Sequence, residues 1–124
     1  MPLWFWNTVP LTRRLTINFG TDSNAISSDS YNALNKFAAT AKILNKVIIQ
    51  IEGNTDNVGD YNHNKDLSYQ WAKVVALYLQ YQGVDSSRFV IIGNGLDKPL
   101  QDNSTNEGKA ANRRTDALYK VVNQ

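Results

Sequence analysis

Two polar stretches carry the side chains most able to grip a ligand. The first, GNTDNVGDYNHN at residues 53–64, offers Asn54, Thr55, Asp56, Asn57, Asp60, Asn62 and Asn64. The second, NSTNEGKAANRR at residues 103–114, ends in Asn112, Arg113 and Arg114. A carboxylate and a guanidinium held near each other suit a zwitterion. Asp56 would take an ammonium, and an arginine would take a carboxylate through two parallel hydrogen bonds. The same residues also serve well as solvated turn formers, with the arginines paired to nearby acids. Composition alone leaves both possibilities open.

Other chemistries find little support. His63 is the only histidine and sits among turn residues, and no G-x-S-x-G elbow accompanies it, so a histidine-based triad has no partner. Asp56, Asp60 and Asp66 do not follow the spacing of a calcium loop, and no closing Glu follows them. GNG at residues 93–95 is a turn rather than a dinucleotide fingerprint, lacking the third glycine and a following helix. The expectation is a protein that is not an enzyme and that carries no cofactor and no metal.

These loops need a scaffold, and hydrophobic periodicity supplies one. RLTINFG (residues 14–20) alternates, with Leu15, Ile17 and Phe19 on one side, and predicts a strand. Leu34, Phe37, Ala38, Ala41 and Leu44 recur at helical spacing between residues 31 and 45. KVIIQIEG (residues 46–53) predicts a buried strand. A second helix is expected over about residues 64–82, with Leu67, Trp71, Val74, Val75 and Tyr78 on one side and Gly83 as its stop. RFVIIGNG predicts a third strand, NEGKAANRR a short helical turn, and RTDALYKVV a last strand. Strands separated by helices imply crossover connections and parallel pairing. The strands of the first unit could lie beside each other or around a third. The expected class is α/β: a two-layer β-α-β-α-β sandwich, one four-stranded mixed sheet with two main helices on one face.

Size and composition agree with a single domain. The chain has 124 residues, 42% hydrophobic and 19% charged, enough for a packed core. A net charge of +2 is too small to argue for nucleic acid or an anionic membrane. The apolar runs fall far short of the roughly 20 residues that span a bilayer. The chain has no cysteine, which removes disulfides and thiol chemistry without fixing a compartment. MPLWFWNTVP (residues 1–10) lacks the basic start and long apolar core of a signal peptide. It is expected to be a tail, or the remnant of a cut in a longer protein with an added Met, ahead of a domain over residues 11–124.

From about Leu11 onward the chain resembles the OmpA-like peptidoglycan-binding domain, the module shared by outer-membrane protein A, peptidoglycan-associated lipoprotein and MotB. The matching residues are Gly53, the pair Thr55-Asp56, Gly59, and N-x-x-L-S at Asn64, Leu67 and Ser68. Ala72, Gly83-Val84, Arg88, Gly93, Gly95, Pro99, Asn103, Thr105, Gly108, Ala110 and NRR at residues 112–114 follow. The wording GNTDNVG, GNG and NRRTD also resembles the OmpA-like modules fused behind phosphate-type solute-binding proteins. The resemblance implies a non-catalytic module that anchors noncovalently to peptidoglycan through the diaminopimelate of the stem peptide. It implies a periplasmic setting at the cell wall and outer membrane of a diderm bacterium. It further implies that Asp56 takes the ligand's ammonium, that Asn64 lines the site beside Thr55 and Leu67, and that Arg113 approaches the ligand. The loop at Thr21 and Asp22 would contribute as well.

The chain departs from the family's pattern at three positions. Asn54 replaces a usual His, and Lys109 stands where Arg is usual. In N-x-x-L-S-x-x-R-A the Arg grips the ligand's carboxylate, and here that position is Trp71. Lys73 lies roughly 200° further round the helix and offers no substitute. Loss of a charge-assisted bidentate contact costs on the order of 1.5–3 kcal/mol, or about 10- to 150-fold in affinity. Two expectations therefore stand side by side. In one the module binds stem peptide with Asp56, Asn64 and Arg113, and Trp71 weakens the grip or stacks on the ligand's aliphatic stem. In the other the fold persists without diaminopimelate binding, as a protein-interaction or structural domain.

Overall fold

The computed structural model describes residues 14–20 and 23–121. The expected tail at residues 1–10, and Thr21 and Asp22, lie outside these described residues. Along the chain run β1 (Arg14–Asn18), α1 (Ser28–Ile43), β2 (Val47–Asn54), α2 (Tyr61–Tyr81), β3 (Phe89–Gly93), α3 (Asn106–Asn112) and β4 (Arg114–Val121). A 3-10 turn at Ser86–Arg88 leads into β3.

The four strands form one sheet in the order β1-β4-β2-β3. β2 and β3 pair in parallel, whereas β4 is antiparallel to both β1 and β2. β1 and β2 therefore run the same way with β4 between them, so the first unit does close around a third strand. Alternate residues of the sheet (Ile17, Val47, Ile49, Ile51, Ala117 and Tyr119) face one side. There they join Leu34, Phe37, Ala38 and Ala41 of α1 and Trp71, Ala72, Val75, Ala76 and Leu79 of α2 in a single buried cluster. This is the expected two-layer sandwich, with both main helices on one face.

Capping sets the helix bounds. Asp60 accepts a hydrogen bond from the His63 amide at 3.0 Å, so α2 begins three residues before the first residue expected from periodicity. At its other end Gly83 takes φ 103°. Its amide reaches the Gln80 carbonyl, and the Val84 amide reaches Leu79, with Val84 and Leu79 both buried. This pair of bonds around a left-handed glycine closes the helix. Beyond the C-terminus of α1, Arg88 donates to the carbonyls of Ala41 (2.7 Å), Leu44 (2.6 Å) and Val47 (3.0 Å). These include carbonyls a helix end leaves without internal partners.

The sheet's other face carries a buried polar network. Asp116 accepts from Thr16 (2.8 Å) and from Arg114 Nε (3.1 Å). Glu52 accepts from Asn94 (3.1 Å) and from Lys98 (3.3 Å). Burial pushes the Glu52 carboxyl up. Hydrogen bonds from Asn94, Gln50 and Lys98, together with the Lys98 charge, outweigh it and hold the group below its ordinary value.

Candidate functional site

The parallel pair β2/β3 sends its carboxyl ends to one edge of the sheet, where ligands of open α/β sheets tend to collect. β1 ends at the same edge and β4 starts there: Arg114 pairs with Asn18 on one side and Asn54 on the other. Residues 53–64 and 103–114 are thus brought together although far apart in sequence. Glycine makes the junction tight. A Cβ on Gly53 would run into the Ser68 carbonyl of α2. Ser68 in turn receives the Gly95 amide on its hydroxyl at 2.8 Å and donates to the Lys65 carbonyl at 2.9 Å.

An open cleft of about 430 Å³ lies at this edge, lined among others by Thr55, Asp56, Asn64, Leu67, Trp71 and Arg113. All the expected site residues that are described converge there. Asp22 cannot be placed, since it lies outside the described residues. Asp56 Oδ2 accepts from Arg113 Nη1 at 3.0 Å, and the two side chains are 12% and 19% exposed. Asp56 Oδ1 accepts the Val58 amide at 3.0 Å, which folds the loop back on itself. Arg113 Nε reaches the Phe19 carbonyl at 3.3 Å, so the end of β1 steers the guanidinium. The Thr55 amide donates to Gly95 O at 2.8 Å, and its hydroxyl donates to the Asp56 carbonyl at 2.8 Å. The Asn64 side-chain amide holds the Val58 carbonyl at 3.0 Å. Asn64 and Thr55 therefore shape the loop that presents Asp56.

Trp71 is the floor. It is 1% exposed and stacks on Phe19 with centroids 5.1 Å apart and planes 5° apart. Its indole Nε1 is buried with no hydrogen-bond partner among the described residues. The ring touches the cleft from beneath and fills space without offering it a charge.

Arg114 and Asn112, neighbours of Arg113 in the same motif, turn elsewhere. Arg114 is buried on the sheet's other face, against Asp116 and the Lys98 carbonyl. Asn112 has no exposed surface. Its side-chain Oδ1 accepts the amides of Leu100 and Gln101, and its side-chain NH2 donates to Gln101 O and Asn103 Oδ1. Asn54 likewise faces away, tied to Asn94 and Glu52. Residue types pointed to a polar loop, but strand parity decides which members face the cleft. Val58, Gly59, His63, Asn106 and Lys109 also line it. His63 belongs to the first turn of α2 rather than to a loop. Lys109 precedes Arg113 by one helical turn, the spacing that puts two side chains on one face. No group of three or more His, Cys, Asp or Glu able to hold a metal exists among the described residues. Nor is any described helix long and apolar enough to cross a membrane.

The model of the OmpA family matches residues 18–113. Over 96 residues the chain is 34% identical to the outer-membrane lipoprotein YfiB of Pseudomonas aeruginosa, covering 77% of this chain and 57% of that one. It is 38% identical over 102 residues to the peptidoglycan-binding protein ArfA of Mycobacterium tuberculosis, covering 82% of this chain and 31% of that protein. The chain thus spans only part of the length of these relatives. Its fold superposes on the peptidoglycan-associated lipoprotein of Burkholderia pseudomallei with a TM-score of 0.82 at 28% identity, covering 85% and 89% of the two chains.

Proposed function

The chain belongs to the OmpA family, and on that footing we propose that it is a non-catalytic anchoring module. Its partner is peptidoglycan, held noncovalently at the diaminopimelate of the stem peptide. The observation that carries this reading is the Asp56–Arg113 pair, 3.0 Å apart in an open cleft floored by apolar side chains. Diaminopimelate presents an ammonium and a carboxylate at its side-chain end. Asp56 takes the ammonium, Arg113 approaches the carboxylate, and Leu67 packs on the aliphatic stem. Trp71 leaves the carboxylate without the guanidinium the family places at that position. Affinity is accordingly about 10- to 150-fold below that of an arginine-bearing site. The relative named a peptidoglycan-binding protein and the outer-membrane lipoprotein support a periplasmic setting, associated with the cell wall and outer membrane.

Trp71 also favours one alternative, because a fully buried aromatic at a charge-binding position is what a site lost to its ligand would contain. The module would then serve as a protein-interaction or structural domain. Co-sedimentation with purified peptidoglycan separates the two. Under the binding reading the wild type sediments, and Asp56→Ala reduces the bound fraction at least ten-fold. A wild type that stays in the supernatant while Trp71→Arg sediments establishes the lost site instead. Asp56→Ala binding as well as the wild type removes Asp56 from either account.

A further inference from the structure

The cleft holds a second strong cation whose work is not accounted for by the pair at its centre. Lys109 lines the cleft from α3 and is only partly buried. Among the described residues its ammonium has no carboxylate or carbonyl partner, whereas Lys65 and Lys98 are each paired to an acid. Arg113 is already committed, with Nε on the Phe19 carbonyl and Nη1 on Asp56. A ligand carboxylate gripped by the Arg113 fork alone would lie close beside the Asp56 carboxylate, where like charges repel. Trp71 offers no charge at all. Lys109, one helical turn before Arg113 and lining the same cleft, can add a second positive charge to a carboxylate that Arg113 approaches.

We propose that Lys109 receives the carboxylate of the ligand's zwitterionic end. It thereby sets the preference of this site for a free carboxylate over a neutral carboxamide. The assignment rests on the stem-peptide reading above and names the residue that gives it specificity. An ammonium is a compact, mobile, strongly hydrated charge. The preference is therefore modest, about 5- to 10-fold, rather than the larger factor a buried bidentate arginine gives.

The test is calorimetric titration with three soluble stem tripeptides. One carries diaminopimelate, one carries diaminopimelate amidated at its side-chain carboxylate, and one carries lysine in its place. The wild type is expected to favour the free carboxylate about 5- to 10-fold over both others. Lys109→Gln is expected to lose most of that preference, keeping only the part that Arg113 supplies. Lys109→Arg is expected to keep the preference. The ratio between ligands does not respond to a general loss of fold, and a thermal melt of each variant confirms folding. A Lys109→Gln protein that binds with the full wild-type preference for the carboxylate overturns the assignment and leaves the stem-peptide reading standing. A wild type that binds none of the three overturns that reading itself.

Discussion

Substitution of Trp71 separates an apolar floor from a ligand-stacking residue. Trp71→Ala removes the largest fully buried side chain of the described residues, together with its stack on Phe19. Truncations of this kind cost about 3–5 kcal/mol, of which the stacked pair supplies about 0.5–1.5 kcal/mol. A chain of 124 residues has an unfolding entropy near 0.26 kcal/mol/K, so the melting temperature should fall by about 12–19 °C. Trp71→Phe is the sharper experiment. It keeps an aromatic ring against Phe19 but gives up roughly 2 kcal/mol of apolar burial. It also deletes an N–H that is buried with no acceptor among the described residues, a group that costs about 1–3 kcal/mol to keep. The two effects offset, and the shift should stay within about 4 °C in either direction. Because the indole is 1% exposed, peptidoglycan sedimentation should be unchanged in Trp71→Phe. The assays are calorimetric melting and the sedimentation described above. A melting point as low as that of Trp71→Ala would mean that Nε1 has an acceptor and contributes to the fold. Loss of sedimentation at an unchanged melting point would mean that the indole itself touches the ligand.

Gly53→Ala drives a methyl group into the Ser68 carbonyl of α2. Backbone cannot yield there, so expression as insoluble protein, or a loss of about 3 kcal/mol in chemical denaturation, is expected; wild-type stability would refute the close packing. Lowering the pH should destabilise the fold through Glu52. Its folded-state value lies below the ordinary 4.5, so its contribution is complete above that value and is lost as pH falls through the folded value beneath it. Melting temperatures taken from pH 6 to pH 3 should drop below about pH 4.5, and Glu52→Gln should flatten part of that slope. An unchanged slope in the variant would exclude Glu52 as its source.

Periodicity located every main strand and both long helices, because each buries one face and the pattern of burial is local. The insertion of β4 between β1 and β2 was not legible in the same way. Both faces of those strands alternate identically whichever neighbour they take, and the choice rests on pairings about a hundred residues apart such as Leu15 with Ala117. Periodicity does not reach the start of α2, because its signal is a cap, Asp60, inside a run rich in turn formers. The site divides along the same line. Asp56 and Arg113 could be named from their chemistry, but of NRR only the middle residue faces the cleft, and that follows from where β4 begins. Lys109 stood out in the sequence only as a departure from Arg. Its place beside Arg113 in the cleft needed the turn of α3.

A carboxylate and a guanidinium already paired to each other, as Asp56 and Arg113 are, have part of their charge satisfied before any ligand arrives. Asp56 nonetheless keeps lone pairs to spare. An ionised carboxylate has about four acceptor positions, and the Val58 amide and Arg113 occupy one on each oxygen. Two remain for an ammonium, so a zwitterion of the proposed kind would add to the pair instead of breaking it. The existing bonds then fix the carboxylate in place before binding, which lowers the ordering cost on association. The chain of support runs deeper. Trp71 stacks on Phe19, the Phe19 carbonyl holds Arg113, and Arg113 holds Asp56. Under the proposed stem-peptide reading, a tryptophan at the floor thus exchanges a direct charge on the ligand for rigidity in the wall that aims the two charges left. Return of arginine to position 71 would restore the charge only by removing that support. Peptidoglycan affinity and thermal stability are therefore expected to move in opposite directions at this residue.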